Sequence, residues 1–354
     1  MKKNYSFIIE KDNCCDLEEL ITLTKTYYKE SDILSKDYLK WQYLKNPSGK
    51  PFLFVSREAK TNELAGQYLV IPIKYNFYGD EVMGTLSLNT LTHPKYQRNG
   101  LFTKMADATL NNCKDESVAF TTGFPNPNSY PGFVRKLGFS HLGDVPLLIK
   151  PLRLTNILFS YFKSKKVKHG EAIDIDYKKN NNIKELDFLS KKDELLYSRF
   201  WNKVKMKYEI STNKDFGFLK WRYFDLPTRH YKIFYYEKDN EIEGVFVIKN
   251  TKTWGFNVSV IMDFMILRDE KIASKMIKYI SKNSKKGSID FIAVLHSKAY
   301  EFNSFVENRF FKLPQKLLPQ KIHFIVRKNN DFDKSEKLFL AHNWKLTFGD
   351  YDVF

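Results

Sequence analysis

Apolar and polar positions alternate along several short runs of the chain, and each run ends at a turn. Val82-Met83-Gly84-Thr85-Leu86-Ser87-Leu88-Asn89-Thr90-Leu91-Thr92 alternates over its whole length and stops at His93-Pro94, the pattern of a strand with one buried face. Phe52 to Val55 and Glu63 to Val70 read as a hairpin around a charged turn. From Leu101 the period changes. Leu101, Met105 and Ala108 share one face of a helix expected to run to about Asn112. Val118 to Thr122 reads as another strand. Ser129 to Leu137 reads as a short helix, with Asn128 as its N-cap, Pro131 in its first turn and Gly138 as its stop. Hairpin strands followed by alternating helices and strands predict an α/β (α+β) fold with a mixed sheet.

The pattern occurs twice. Leu39-Lys40-Trp41-Gln42-Tyr43-Leu44-Lys45-Asn46-Pro47 recurs 180 positions later as Leu219-Lys220-Trp221-Arg222-Tyr223-Phe224-Asp225-Leu226-Pro227. Each copy is followed by a hairpin, Phe52 to Val70 in the first and Lys232 to Ile248 in the second. A single long period signals duplication of a whole domain, not a solenoid. The expected domains are residues 1–146, a linker over 147–182, and residues 183–354. The linker begins apolar and turns basic at Lys163, Lys165, Lys166 and Lys168. A basic amphipathic segment docks on a neighbouring domain or lies on an anionic membrane face, so peripheral membrane contact is expected through 147–168 if it occurs. Trp41, Tyr43, Trp221 and Tyr223 recur in both copies and are expected in the core.

Composition adds exclusions. Hydrophobic residues make up 43% of the 354 positions, enough for a buried core, so global disorder is excluded. Three cysteines, two of them adjacent, supply neither a disulfide framework nor a zinc spacing, and no metal is expected. The first residues contain only three consecutive apolar positions, short for a secretory segment. No stretch approaches 18 apolar residues. A cytoplasmic location is therefore expected. The 58 basic residues against 41 acidic give a formal charge of +17, which suits polyanionic partners but equally describes lysines scattered over a surface.

The informative block is Thr90 to Met105. A strand ends, a short loop turns, and a helix begins with Gly100 at the turn. The first N–H groups of that helix lack intrahelical partners, and its dipole adds positive potential. Such a terminus suits a pyrophosphate, and Gly100 permits the unusual backbone angles of the turn. Arg98 and Lys104 stand near enough in sequence to add charge.

The wording Gln97-x-x-Gly100-x-Phe102 after a His-Pro strand exit resembles the acetyl-CoA pyrophosphate loop of the GNAT N-acyltransferases. Phe133-Val134-Arg135-Lys136-Leu137-Gly138-Phe139 resembles that family's closing helix and strand. Together the motifs cover about Leu39 to Leu142. The resemblance implies two tandem GNAT-like domains and acetyl-CoA, or another acyl-CoA, as co-substrate. It implies CoA contacts at Thr90, Leu91, Thr92, Gln97, Arg98, Asn99, Gly100, Leu101, Phe102, Thr103 and Asn128. It also implies direct attack of an amine on the thioester, which needs oxyanion donors and a proton acceptor.

Several positions depart from the pattern. Phe102 replaces a small residue. Val134 stands where the family has its acid tyrosine, so Tyr130, one helical turn earlier, is the substitute. No carboxylate lies in the strand before the loop. In the two-unit, Eis-like branch the terminal carboxylate acts as base, which points to Phe354, with Asp350 and Asp352 as neighbours able to do the same. The second copy reads Leu267-Arg268-Asp269-Glu270-Lys271 where the loop should be, and its two acids would repel a pyrophosphate. It is expected to shape the acceptor site. The resemblance favours a small amine acceptor, an amino sugar in particular, over nucleic acid. Two rivals remain: an aminoacyl-tRNA-dependent transferase of the peptidoglycan-branching type, and a non-catalytic CoA- or effector-binding module.

Overall fold

The alternating runs become the long strands of two mixed sheets in the computed structural model, which describes residues 5–14, 16–153, 170–253, 255–267, 269–297, 301–318 and 320–351. In the first sheet, β1 (Phe7–Asp12), β2 (Phe52–Glu58), β3 (Leu64–Phe77) and β4 (Asp80–Thr92) are antiparallel neighbours. β4 then pairs in parallel with β5 (Phe120–Gly123). The crossover between them is helix α3 (Leu101–Asp115), because parallel neighbours require a long connection. Helices α1 (Leu17–Lys25) and α2 (Lys36–Leu39) precede β2, and α4 (Tyr130–Lys136) leads from β5 to β6 (Ser140–Asp144). The buried residues of α3, Leu101, Met105, Ala106, Thr109, Leu110 and Cys113, follow the helical period and rest on the sheet. The expected α/β class with two tandem GNAT-like units is what the chain forms.

The second half repeats this order. β8 (Glu171–Ala172) is a short addition to β12 (Glu241–Thr253). β9 (Ile183–Glu185), β11 (Lys232–Lys238), β12 and β13 (Phe256–Ile266) are antiparallel, and β13 pairs in parallel with β14 (Phe291–Leu295). The helix Glu270–Lys286 crosses between the last two.

The units exchange strands. β7 (Leu147–Pro151) leaves the first unit and lies between β14 and β15 (Phe311–Lys312) of the second sheet. In return β16 (His323–Lys328) lies between β5 and β6 of the first. Both exchanged strands occupy the same place in the host sheet. Residues 147–151, expected at the start of a basic linker, are therefore a sheet strand, with Leu147 and Leu148 buried. The local cause is the connection Val145-Pro146 between β6 and β7. A two-residue hairpin needs positive φ, which proline cannot adopt and β-branched valine resists, so the chain runs straight on into the neighbouring sheet. Residues 154–169, the basic part of the expected linker, lie outside the described residues. Among the described residues, no helix is long and apolar enough to cross a membrane.

Further contacts lock the halves. β10 (Ile210–Thr212) extends the first sheet against β3 and also pairs with β17 (Trp344–Lys345). The repeated motifs meet each other. Trp41 and Trp221 stack with ring centroids 4.8 Å apart. Trp41 Nε1 donates to the Trp221 carbonyl at 2.6 Å, and Trp221 Nε1 donates to the Trp41 carbonyl at 3.1 Å. This reciprocity explains the recurrence: each tryptophan fills the core and satisfies the other's backbone, as buried polar groups require. The C-terminal segment is packed as expected, with Trp344 buried and Lys345 paired with buried Glu301 at 2.7 Å.

Candidate functional site

β4 stops pairing with β5 at Ser87 opposite Gly123. The reason is a bulge. Gln67 pairs with Leu91 and Leu69 with Leu88, so Asn89 and Thr90 together face Tyr68. Asn89 takes φ +49°, a left-handed conformation that asparagine tolerates. Its side chain donates to Gln42 Oε1 at 2.7 Å and to the Tyr43 hydroxyl at 2.9 Å, and Gln67 Nε2 donates to its carbonyl at 2.7 Å. The repeated motif thus holds the bulge, and the bulge bends β4 away from its neighbour. In the second unit Tyr223 bonds Asp263 beside the equivalent bulge.

The gap opens into a groove of about 610 Å3. One wall is the free edge of β4 at Thr90, Leu91 and Thr92; the floor is the loop with Gln97, Arg98, Gly100, Leu101, Phe102 and Thr103; the far wall includes Asn126, Asn128, Ser129, Gly132 and Lys136. Gly100 is the N-cap of α3 at φ +74°, and no side chain caps that terminus. Arg98 also takes positive φ, +65°. The first-turn N–H groups and the positive end of a 15-residue helix therefore face the groove, an arrangement that favours an anion. The groove narrows into a recess of about 150 Å3 at the splay, lined by Ser87, Leu88, Asn89, Gly123, Phe124 and Pro125 among others.

Ten of the eleven residues expected at the co-substrate line this groove. The eleventh, Asn99, folds back on its own loop and donates to the carbonyls of Tyr96 and Gln97, at 3.0 and 3.3 Å, bracing the loop instead. Asn128 reaches the groove but is not the cap of α4. Asn126 Oδ1 accepts the N–H groups of Asn128 and Ser129, at 2.9 and 3.0 Å. Tyr130 stands outside the groove wall. Its ring packs on His323 at 4.4 Å and on His141 at 5.3 Å. Phe354 and Asp352 lie outside the described residues. Sequence reasoning missed Tyr27 and Tyr28, which follow α1 and close the groove from above. The Tyr27 hydroxyl donates to the Thr92 carbonyl and accepts from Gln97 Nε2. No spacing in the sequence links them to the loop 70 positions later.

Phe102 leaves the groove passable. Its ring packs on Tyr68 and Phe133, with centroids at 5.9 and 5.4 Å, and fills the space left by Gly132. A Cβ on Gly132 would come within 2.7 Å of that ring. Gly132→Ala is therefore expected to push Phe102 toward the groove and weaken acyl-CoA binding about tenfold, within the range of an overpacked contact. Calorimetric titration checks this, and wild-type affinity would show that the ring has room to move.

On the other face of the splay, Leu86, Thr122 and Phe124 wall a small cavity of about 40 Å3 between the units, together with Trp41, Trp221 and Asp350 among others. Asp350 is buried. Its Oδ2 accepts the Thr347 N–H and hydroxyl at 2.8 and 3.0 Å, and its Oδ1 lies 3.1 Å from Lys214 Nζ. Lys214 also binds Asp263 and, at 2.8 Å, the Thr347 hydroxyl. Burial alone would pull the Lys214 ammonium's pKa down, but Asp263 and Asp350 outweigh it and hold it above the usual lysine value. In the second unit the matching helix is closed to anions. Asp269 Oδ1 accepts the Lys271 N–H at 2.8 Å, and Glu270 occupies the first turn.

The splayed strand, the glycine turn and the uncapped helix carry the family's geometry, and the family model for the acetyltransferase (GNAT) domain matches residues 13–142. That match spans the first unit. No curated sequence matches the chain. Among solved structures, the chain is similar to Saccharomyces cerevisiae N-myristoyltransferase with bound myristoyl-CoA, at 14% identity and a TM-score of 0.61, over 92% of this chain and 83% of that one. It is also similar to a GCN5-related N-acetyltransferase from Anabaena variabilis, at 13% identity and TM-score 0.61, over 92% and 73% of the two chains. A probable N-acyltransferase from Enterococcus faecalis matches with the same identity, coverage and TM-score. At these identities the likeness is one of fold, and its extent over 92% of the chain includes both GNAT-like units.

Proposed function

We propose that the protein transfers an acyl group, acetyl first among them, from acyl-CoA to a primary amine by direct attack in a ternary complex. The observation that supports this reading is the path from the uncapped α3 terminus along the free edge of β4 to the splay. The groove side of the splay holds Ser87 and Gly123, and the cavity side holds Leu86 and Thr122; Phe124 borders both spaces. The pyrophosphate sits at Gly100, the pantetheine arm bonds the backbone of Thr90 to Thr92, and the thioester reaches the recess. The amine approaches from between the units. Its nitrogen bonds to the carbonyl carbon, the carbon–sulfur bond breaks, and CoA leaves as a thiolate that is then protonated. Asp350, on the acceptor side, attracts the ammonium and takes the proton it must lose before attack; the proton shed by the nitrogen after attack goes to the thiolate.

A longer acyl chain is the second reading, favoured by the apolar lining of the same cavity, which includes Ile71, Ile73, Leu86, Phe324 and Leu346. Turnover of acetyl-, octanoyl- and myristoyl-CoA against amino-sugar and peptide amines separates the two. Release of CoA with none of these amines would favour a binding module instead. Asp350→Asn is expected to lower kcat by about 10- to 100-fold, the range of a proton-handling group, while acyl-CoA affinity stays within threefold. An unchanged kcat would remove Asp350 from the mechanism.

A further inference from the structure

His141 and Asp144 stand on β6, and His323 stands on the exchanged strand β16 beside them. His323 Nδ1 lies 2.6 Å from Asp144 Oδ1, and His141 Nε2 lies 3.3 Å from the same oxygen. One ligand atom from each residue falls within 4.8 Å of the others. Asp144 Oδ2 points away, 3.9 Å from Lys321, so Oδ1 is shared by the two imidazoles.

The backbone is distorted in a way that creates this group. Residues three apart on a regular strand point to opposite faces of the sheet. Here His323 pairs with Asp144, Phe324 with Gly143, and Ile325 with His141, leaving Leu142 as an extra residue. The slip returns His141 to the face of Asp144. Gly143 takes φ +134° at the slip, and a Cβ there would meet nothing within 4 Å. Glycine is needed for its angle, not for space. A bulge that re-aims a side chain is a common device beside functional sites. Tyr130 covers one side of the group, its ring tilted 32° to that of His323 at 4.4 Å.

We propose that His141, Asp144 and His323 bind a divalent transition-metal ion, with zinc the best chemical match. Two imidazoles and one carboxylate form a donor set of borderline softness, unsuited to magnesium or calcium. Zinc bonds of about 2.0–2.1 Å at tetrahedral angles separate ligand atoms by roughly 3.3 Å. The His141–Asp144 separation of 3.3 Å already meets that figure, and the shorter His323–Asp144 pair opens slightly as the ion enters. The ion joins the exchanged strand to its host sheet, so binding counts toward the pairing of the two units. Tyr130 opens α4, the helix that also carries Gly132 of the groove, which places the ion next to the co-substrate wall.

The test uses the full chain, stripped with chelator and titrated with zinc chloride against a chromophoric competitor. The expected result is one zinc per chain with a Kd at or below about 10 μM, weakened at least tenfold in His141→Ala, His323→Ala and Asp144→Asn, since the loss of even an outer-shell partner costs about that much. His93→Ala, outside the cluster, should bind zinc as the wild type does. Zinc should also raise the melting temperature of the wild type and not of the three variants. Fewer than about 0.2 zinc per chain in excess metal, or affinity unaffected by the three substitutions, would overturn the proposal. A variant that fails to fold is replaced by His141→Gln, which keeps the side chain's bulk and hydrogen bonding.

Discussion

Gly100→Glu is expected to bind acetyl-CoA at least about 100-fold more weakly than the wild type, a loss of about 2.7 kcal/mol, with the fold intact. The position is open, since a Cβ there meets nothing within 4 Å. The side chain therefore fits, and the loss comes from charge. A carboxylate at the uncapped start of α3 satisfies the helix N–H groups itself and repels the pyrophosphate. The second unit already displays that state at Asp269 and Glu270. Backbone strain has to be separated from charge, because φ at Gly100 is +74°. Asparagine tolerates that region, so Gly100→Asn should bind within about fivefold of the wild type. Calorimetry on the three proteins reads both effects. Equal affinity in the Glu variant would place the phosphates elsewhere.

Lys214→Met is expected to destabilise the protein by about 3–5 kcal/mol, the cost of leaving buried charge uncompensated. The side chains of Lys214, Asp263 and Asp350 are 3%, 0% and 5% exposed. Removing the ammonium leaves two carboxylates facing each other beside Thr347. The melting temperature should fall by roughly 4–7 °C on the per-residue unfolding entropy for a chain of this size. Adding Asp263→Asn to Lys214→Met should recover part of the loss, because the second change removes one of the stranded charges. A melting temperature within about 2 °C of the wild type would mean that water reaches the cluster and screens it. The neighbouring Gly349 is part of the same arrangement: a Cβ there would lie 2.5 Å from Asp263 Oδ2, so the tail can cross the cluster only with glycine at that point.

The sequence determined whatever depends on local period and local backbone chemistry. Alternation from Val82 to Thr92 specified β4, and the 3.6-residue spacing of Leu101 and Met105 specified α3. The recurrence of Trp41 and Trp221 specified two units. The residues from Gln97 to Thr103 made the anion-binding turn readable, because one glycine at positive φ and the first turn of one helix create it without help from distant residues. Even there, the folding of Asn99 back on its loop and the capping role of Asn126 depend on hydrogen bonds that the spacing does not encode.

Only the tertiary structure decided what is assembled from distant segments. Val145-Pro146 prevents a hairpin, but nothing local says which sheet receives β7, or that β16 returns to the first. That exchange puts His323 beside His141 and Asp144, and draws Tyr130 into contact with those imidazoles. It also joins Leu86 and Thr122 with Trp221 and Asp350 around one cavity. Sequence pattern reports which face of an element is buried. Which face of another element covers it is chosen by the packing of the whole chain, where the gain from apolar burial is non-directional and the partner is fixed by shape and by the need to satisfy buried polar groups.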